Sequence, residues 1–181
     1  MSVFEIVPES EPERIPPQDI AAEASLLGAM MLSKDAIGEA VELIKQHDFY
    51  RPAHQLIFEA ILHHYVQDAP ADAVTVAAEL TRRGELSKIG GAAYLHTLVA
   101  GVPTAANADY YARIVRECAI LRRLVEAGTR ITQLGFNRQG EVDEIVDRAQ
   151  AEIYEVTERR SNDDFRPLSS LVVEVSDELS A

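Results

Sequence analysis

The amino-acid sequence predicts an all-α protein with a helical globular head, a long antiparallel helical hairpin and a short linker helix. Three observations support this fold class. Apolar residues recur at helical spacing through most of the chain, runs that alternate with period two are almost absent, and the breaks fall at clusters of glycine, proline and asparagine. A hydrophobic fraction of 47% leaves enough apolar surface for a core.

Two segments flank the predicted bundle. Residues 1–17 are predicted to form a flexible acidic arm, because glutamates alternate there with prolines that cannot build a core. Residues 161–181 are expected to hold a linker and the start of a linker helix, since an apolar stripe at helical spacing follows a Phe-Arg-Pro sequence. The predicted docking face of the linker helix comprises Leu168, Leu171, Val172, Val175 and Leu179.

The predicted head spans residues 18–106, and typical capping residues begin its helices. Asp19 is the expected cap of the first helix, and Pro52 suits the first turn of a later one. Asp72 or Thr75 is expected to cap a shorter helix.

The predicted hairpin spans residues 107–160. On both sides of a break at residues 135–140, apolar residues are spaced alternately four and three apart, as in a helix that packs against one partner helix. A two-helix hairpin exposes its apolar flanks, so part of this surface is expected to contact another chain. The predicted hairpin seam comprises Ile114, Cys118, Leu121, Val125, Val142, Val146, Ala149, Ile153 and Val156.

Charge and composition exclude several classes of function. The chain has 17 Lys and Arg against 30 Asp and Glu, a net charge of -13, so its general surface is a poor candidate for binding DNA. A single cysteine, Cys118, excludes an intrachain disulfide framework, and we expect it to be a small core residue. Since neither a membrane span nor a signal peptide is recognisable, a cytoplasmic protein without membrane contact is expected.

No catalytic, cofactor or metal site is expected from the motifs. A P-loop requires a lysine directly after glycine, and none of the lysines is so placed. His47-Asp48, with His54 nearby, is faintly similar to the His-Asp metal-dependent phosphohydrolases, but the remaining histidines lack the spacing of a metal-binding helix. We therefore expect solvated or capping histidines.

Arginine pairs are the remaining candidate site for phosphate or an acidic partner. Each pair lies among carboxylates, which favours solvated helix faces and ion pairs within the chain. The pairs are Arg82-Arg83, Arg122-Arg123 and Arg159-Arg160.

Seven sequence blocks occur in order between about residues 15 and 160. They lie at residues 15–23, 25–30, 48–58 and 72–80 and, most diagnostically, at 89–95 (Ile-Gly-Gly-Ala-Ala-Tyr-Leu), 102–107 and 110–115. Together the blocks resemble the amino-terminal domain, with the start of the linker, of the DnaB-type bacterial replicative DNA helicases.

This resemblance implies an assembly module without catalysis of its own. In the family, such domains pair through heads and hairpins, three pairs form an amino-terminal collar on a hexameric ring, and primase docks on the collar. ATP, Mg²⁺, DNA unwinding and the motor domain that the linker helix contacts would belong to the full-length parent, and a helicase loader is a further implied partner. Tyr94, Val125 and Ile131 align with positions that resemble the primase-facing surface, with an intramolecular core role as the alternative.

Two other functions stay open at this point. The first is an independent helical adaptor, for which the helicase-binding domain of primase is the nearest architecture. The second, and least favoured, is a helical metal-dependent hydrolase. The ordered blocks favour the helicase collar over the adaptor, whereas a tightly bound stoichiometric metal would favour the hydrolase.

Overall fold

The protein is described by a computed structural model over residues 15–161, all of whose regular elements are helical within that range. The all-α fold class is therefore confirmed. Most of the acidic arm and the predicted linker-helix face lie outside the described residues. The α-helices are α1 (Ile20–Leu32), α2 (Lys34–Leu43), α3 (Pro52–Val66), α4 (Ala73–Arg82), α5 (Ala92–Ala100), α6 (Ala108–Asn137) and α7 (Val142–Ser161). Short 3-10 turns lie at Gln46–Asp48, Leu86–Ile89 and Ala105–Asn107.

The predicted helix starts are formed by the expected capping chemistry. The Asp19 carboxylate accepts a first-turn amide of α1 at 2.8 Å, and Pro52 occupies the first turn of α3. Asp72, rather than Thr75, caps α4, since its carboxylate accepts the Val74 and Thr75 amides at 2.8 and 3.0 Å. Local sequence therefore determines where these helices begin.

Helix α1 lies at the centre of the head and packs against α2, α3, α5 and α6. Leu26, Leu27 and Met30 on this helix are completely or almost completely buried. Phe49 and Phe58 pack into the same core with their ring centroids 5.1 Å apart. Each such side chain contributes roughly 1.5–3 kcal/mol to folding through removal of apolar surface from water.

Helix α6 belongs to both the head and the hairpin. Ala108, Ala112 and Val115 are buried in the head core, so the core extends beyond the predicted head boundary at residue 106. The helix has 30 residues, which corresponds to about 45 Å. The predicted break was placed too early, because α6 continues through Gly135 and ends at Asn137, and Arg138 follows with a φ of +48°. One unbroken helix thus connects the core to the hairpin loop.

We expect Gly28→Ala to destabilise the head by about 1–3 kcal/mol, because overpacking forces neighbouring atoms to move. A methyl group at this position would lie 2.3 Å from the Leu98 carbonyl oxygen and 2.3 Å from a methyl of Val102. Gly128→Ala on the hairpin is the matched control, since no atom lies within 4 Å of the added methyl group. It should stabilise its helix by about 0.5–1 kcal/mol. Urea unfolding measures both changes, and an equal response of the two variants would contradict this packing.

We expect the Glu79 ion pairs to make part of the fold's stability pH-dependent. Hydrogen bonds from Arg82 and Arg83 lower the pKa of Glu79 from 4.5 to about 2. The contribution of these ion pairs to the free energy of unfolding is therefore complete above about pH 4.5 and is lost as the pH falls toward about 2. The Tm difference between the unchanged protein and Glu79→Gln should shrink over that interval. Glu39→Gln is the control, because Glu39 is exposed; a difference for Glu79→Gln that does not change with pH would refute the assignment.

Candidate functional site

The two hairpin helices contact each other through apolar side chains and an ion pair. Ala127 on α6 and Val156 on α7 are buried. Ile131 and Ala149 are half-buried beside them. The Arg130 Nε donates to Glu152 at 2.7 Å across the hairpin. Much of the hairpin's apolar surface lies outside this contact and is exposed.

The predicted hairpin seam is wrong for most of its central positions. Val125 is two residues from Ala127, so the two side chains lie about 200° apart around α6. Of the predicted positions, Ile114, Cys118 and Ala149 are half-buried and Val156 is buried. The other five are exposed by 43–72%: Leu121, Val125, Val142, Val146 and Ile153. Most of the large apolar residues chosen by their spacing are thus exposed, whereas Ala127, which was not chosen, is buried.

Two adjacent arginines fasten the base of the hairpin to the head. The Arg122 guanidinium donates to the main-chain carbonyl oxygens of Pro17 and Asp48 at 2.8 and 2.5 Å. Arg123 donates to the Asp48 carboxylate at 2.7 Å. Asp48 is buried and also accepts the Lys45 amide at 2.8 Å. We call Arg122, Arg123 and Asp48 the hairpin anchor. The expected ion pairing within the chain is confirmed for Arg82, Arg83 and Arg123, whereas Arg122 binds main-chain carbonyl oxygens instead.

A buried polar network joins α1, α3 and α5. The Glu23 carboxylate, 1% exposed, accepts the Tyr50 amide at 2.5 Å and lies 2.6 Å from Nδ1 of His54. On the other side of the same ring, Nε2 lies 2.7 Å from the Tyr94 hydroxyl. The Arg51 guanidinium donates to that hydroxyl at 3.1 Å. Three helices that are distant in sequence are thereby held in one relative position.

One set of proton positions satisfies every bond of this network. In this set, His54 donates from Nδ1 to Glu23 and accepts the Tyr94 hydroxyl proton at Nε2, while the Tyr94 oxygen accepts from Arg51. Burial raises the pKa of Tyr94, Arg51 opposes that rise and Glu23 adds to it. Tyr94 therefore keeps its proton at neutral pH, and the network is structural.

His54 differs from the expectation of solvated or capping side chains, whereas His47 and His96 are exposed as expected. His54 is completely buried, and both of its ring nitrogens have hydrogen-bond partners inside the head. His64 lies 3.2 Å from the Thr75 carbonyl oxygen, and His63 lies 3.6 Å from Glu79. The Asp48 carboxylate already accepts hydrogen bonds from the Lys45 amide and from Arg123. Within residues 15–161, no three His, Cys, Asp or Glu side chains form a group that could hold a metal ion.

The three residues aligned with a primase-facing surface have different environments. Tyr94 is half-buried on α5 and its hydroxyl belongs to the buried network. Ile131 is half-buried against the other hairpin helix, whereas Val125 is 56% exposed. Val125 is therefore the most accessible of the three for a partner. Nearby on α6, burial raises the pKa of Cys118, which favours its protonated thiol over a nucleophilic thiolate.

Sequence reasoning did not identify Glu23, His54 or the hairpin anchor as structural centres. A buried carboxylate and its histidine partner lie 31 residues apart, and sequence spacing carries no signal for such a pair. For the anchor, the adjacent Arg122-Arg123 pair was a signal, but its partner Asp48 could not be identified without the fold.

We expect Glu23→Ala to cost about 3–5 kcal/mol, because it leaves buried donors without their charged acceptor. Tyr94→Phe should cost less, about 1–3 kcal/mol, since one hydroxyl is lost and Nε2 of His54 loses its donor. Equilibrium unfolding in urea measures how much each variant lowers the free energy of unfolding. A Tyr94→Phe cost equal to or above that of Glu23→Ala would show that the carboxylate is not the centre of the network.

Comparison with known proteins bears on this architecture of head and hairpin. The family described as DnaB-like helicase N terminal domain matches residues 15–117. Within residues 15–161, no helix combines the length and the apolar character needed to cross a bilayer.

Proteins similar to this chain include two named "Replicative DNA helicase DnaB". The one from Mycobacterium leprae is 58% identical, and the match covers 99% of this chain and 30% of that relative. The one from Leifsonia xyli is 54% identical, and the match covers 96% of this chain and 38% of that relative. The chain thus spans about a third of the length of these relatives. A crystal structure of the N-terminal domain of DnaB helicase from Mycobacterium tuberculosis is 65% identical, with a TM-score of 0.75 over 78% of this chain and 99% of that one. Because the family match spans more than half of its residues, the chain belongs to the DnaB-like helicase N-terminal domains.

Proposed function

We propose that this chain is the amino-terminal collar module of a replicative DNA helicase and acts by pairing subunits and docking primase. The observation that carries the proposal is the exposed apolar face of the hairpin. Its side chains are 43–72% exposed in a chain with a net charge of -13, which is unusual for a surface that meets only water. We call it the hairpin stripe: Leu121, Leu124, Val125, Val142, Val146 and Ile153.

The hairpin stripe supports pairing with a second copy of the chain. Both hairpin helices contribute aliphatic side chains, and Tyr154 on α7 is 62% exposed beside them. A self-complementary apolar patch is typical of a two-fold dimer. Pairing through heads and hairpins, as implied by the resemblance to the family, would bury this surface. Three such pairs would form the collar of a hexamer in the full-length parent.

Primase docking is supported by the position of Val125. This residue is 56% exposed on α6, and Leu121 and Leu124 on the same helix are also exposed, so an aliphatic surface is available to a partner. Tyr94 would act through the head, because its hydroxyl is used in the buried network. ATP hydrolysis, Mg²⁺ binding and DNA unwinding would be carried out by the motor domain of the longer parent. The collar couples to that motor through the linker helix.

We expect Val125→Asp to weaken self-association by at least roughly tenfold, since a charge placed in an apolar interface must be desolvated. Sedimentation equilibrium measures the dissociation constant. Val74→Asp on α4 is the matched control, because Val74 is 68% exposed but lies on the head. Circular dichroism confirms that both variants are folded. A dimer that is unchanged in Val125→Asp would remove the hairpin stripe from the interface.

Calorimetric titration with the helicase-binding domain of a primase from the same organism tests docking separately. Saturable binding that weakens in Val125→Asp but persists in Val74→Asp would support docking on the hairpin. Ile131→Asp is a second probe, read only if the variant stays folded, since Ile131 is half-buried in the hairpin. Absence of binding by a folded, dimeric chain would overturn primase docking on this module and leave subunit pairing intact.

A further inference from the structure

The hairpin stripe begins beside the point where the chain leaves the hairpin. Arg130 on α6 donates to Glu152 on α7, so these two residues lie level with each other along the antiparallel pair. Nine further residues of α7 bring its last residue, Ser161, level with Leu121 near the base of α6. The chain that follows α7 therefore starts next to the first side chains of the stripe.

The exposed apolar side chains of both hairpin helices lie on one side of the hairpin. Leu121 and Val125 lie roughly 120–160° around α6 from the buried Ala127. Ile153 lies roughly 60° around α7 from the buried Val156, in the same sense of rotation. Because the two helices are antiparallel, rotation in the same sense leads to the same side. The two sets of side chains thus border one shallow groove between α6 and α7.

This side of the hairpin is open, because the head lies on the other side of α6. Ala112 and Val115, which are buried in the head core, lie roughly 60–120° from Ala127 in the opposite sense. On the open side, a methyl group added at Gly128 would meet no atom within 4 Å. A further helix can therefore lie in the groove without meeting the head.

The chain itself supplies a segment of suitable character directly after α7. The predicted docking face of the linker helix, from Leu168 to Leu179, would present apolar side chains over about 17 Å. Only residues 162–167 separate it from α7, a connection length common between neighbouring helices of a bundle. A segment tethered this closely has an effective concentration on the order of millimolar. The short tether favours this occupant over one that must be captured from solution.

We propose that the linker helix packs into the groove at the base of the hairpin and completes a three-helix bundle within one chain. Its apolar face covers Leu121, Leu124, Val125 and Ile153, which are 43–56% exposed without it. It runs antiparallel to α7, from the base of the hairpin toward the tip. With a length of about 17 Å, it ends before it reaches Val142 beside the hairpin loop.

Docking of the linker helix competes with a second copy of the chain for the same side chains. The intramolecular contact does not depend on the concentration of the chain, whereas pairing does. The linker helix thus covers the stripe in an unpaired chain and is displaced when two copies pair. This regulation rests on the proposed pairing function, but docking within one chain does not.

The test uses the complete chain with a nitroxide label at Ser170→Cys, in a Cys118→Ser background. Nuclear magnetic resonance then reports broadening of the backbone amides near the label. We expect the amides of Leu121 and Val125 to broaden strongly and that of Val142 to change little. A pattern in which Val142 broadens as much as Leu121 would overturn the proposed position.

Two matched variants show whether the apolar face is responsible. Val175→Asp should remove most of the broadening, because its charge would have to be desolvated in the groove. Val173→Asp should retain it, since this valine lies roughly 160° around the helix from Val175 and outside the apolar face. An equal effect of the two variants would overturn docking. So would broadening that appears only between a labelled chain and an isotope-enriched second copy, because the linker helix would then cover another chain.

Self-association tests the competition separately. Val175→Asp should lower the dissociation constant of the dimer several-fold relative to Val173→Asp, because the stripe is no longer covered from within the chain. Sedimentation equilibrium measures both constants, and equal values would overturn the competition. Failure of the proposed pairing function is seen elsewhere, in a dimer that is unchanged by Val125→Asp. The broadening within a single chain does not depend on that result.

Discussion

Close packing of small side chains along α6 is the constraint on which the rest of this structure depends. Ala108, Ala112 and Ala119 are buried and let the helix lie near α1 and α2. Because the same helix continues without interruption to Asn137, packing inside the head also sets the direction in which the hairpin projects. Several apolar side chains of the hairpin, Val125 and Val142 among them, are exposed along it.

The polar groups of the head are used in holding this geometry. Glu23, His54 and Tyr94 satisfy one another across three helices, and Asp48 links the head to the hairpin. A buried network in which each group has a partner favours one arrangement over similar ones, because alternative packings leave donors or acceptors unpaired. The head is thus a rigid base for the exposed apolar surface of the hairpin. This division agrees with a family in which the domain is a part of a larger helicase.

Much of the fold was predictable from the sequence, because helix starts depend on local chemistry. Asp19, Pro52 and Asp72 determine helix boundaries through bonds to residues within one turn. The hairpin contact was not predictable in the same way. The predicted seam was chosen from the spacing of apolar residues, whereas the observed contact includes Ala127 and the Arg130–Glu152 ion pair, which that spacing does not mark. The burial of His54 likewise depends on a carboxylate from another helix, and the fold alone brings the two together.

Arg122 donates to main-chain carbonyl oxygens rather than to carboxylates. Every amino acid carries such an oxygen, so this bond places no requirement on which side chain stands at positions 17 and 48. A carbonyl does not titrate between acid and neutral pH, and it offers no net charge for salt to screen. The bond to Arg122 therefore does not depend on the side chain at either acceptor position, although position 48 still needs its carboxylate for Arg123. Attachment of the hairpin through Arg122 should persist under acidic or saline conditions that loosen the ion pair of the neighbouring Arg123.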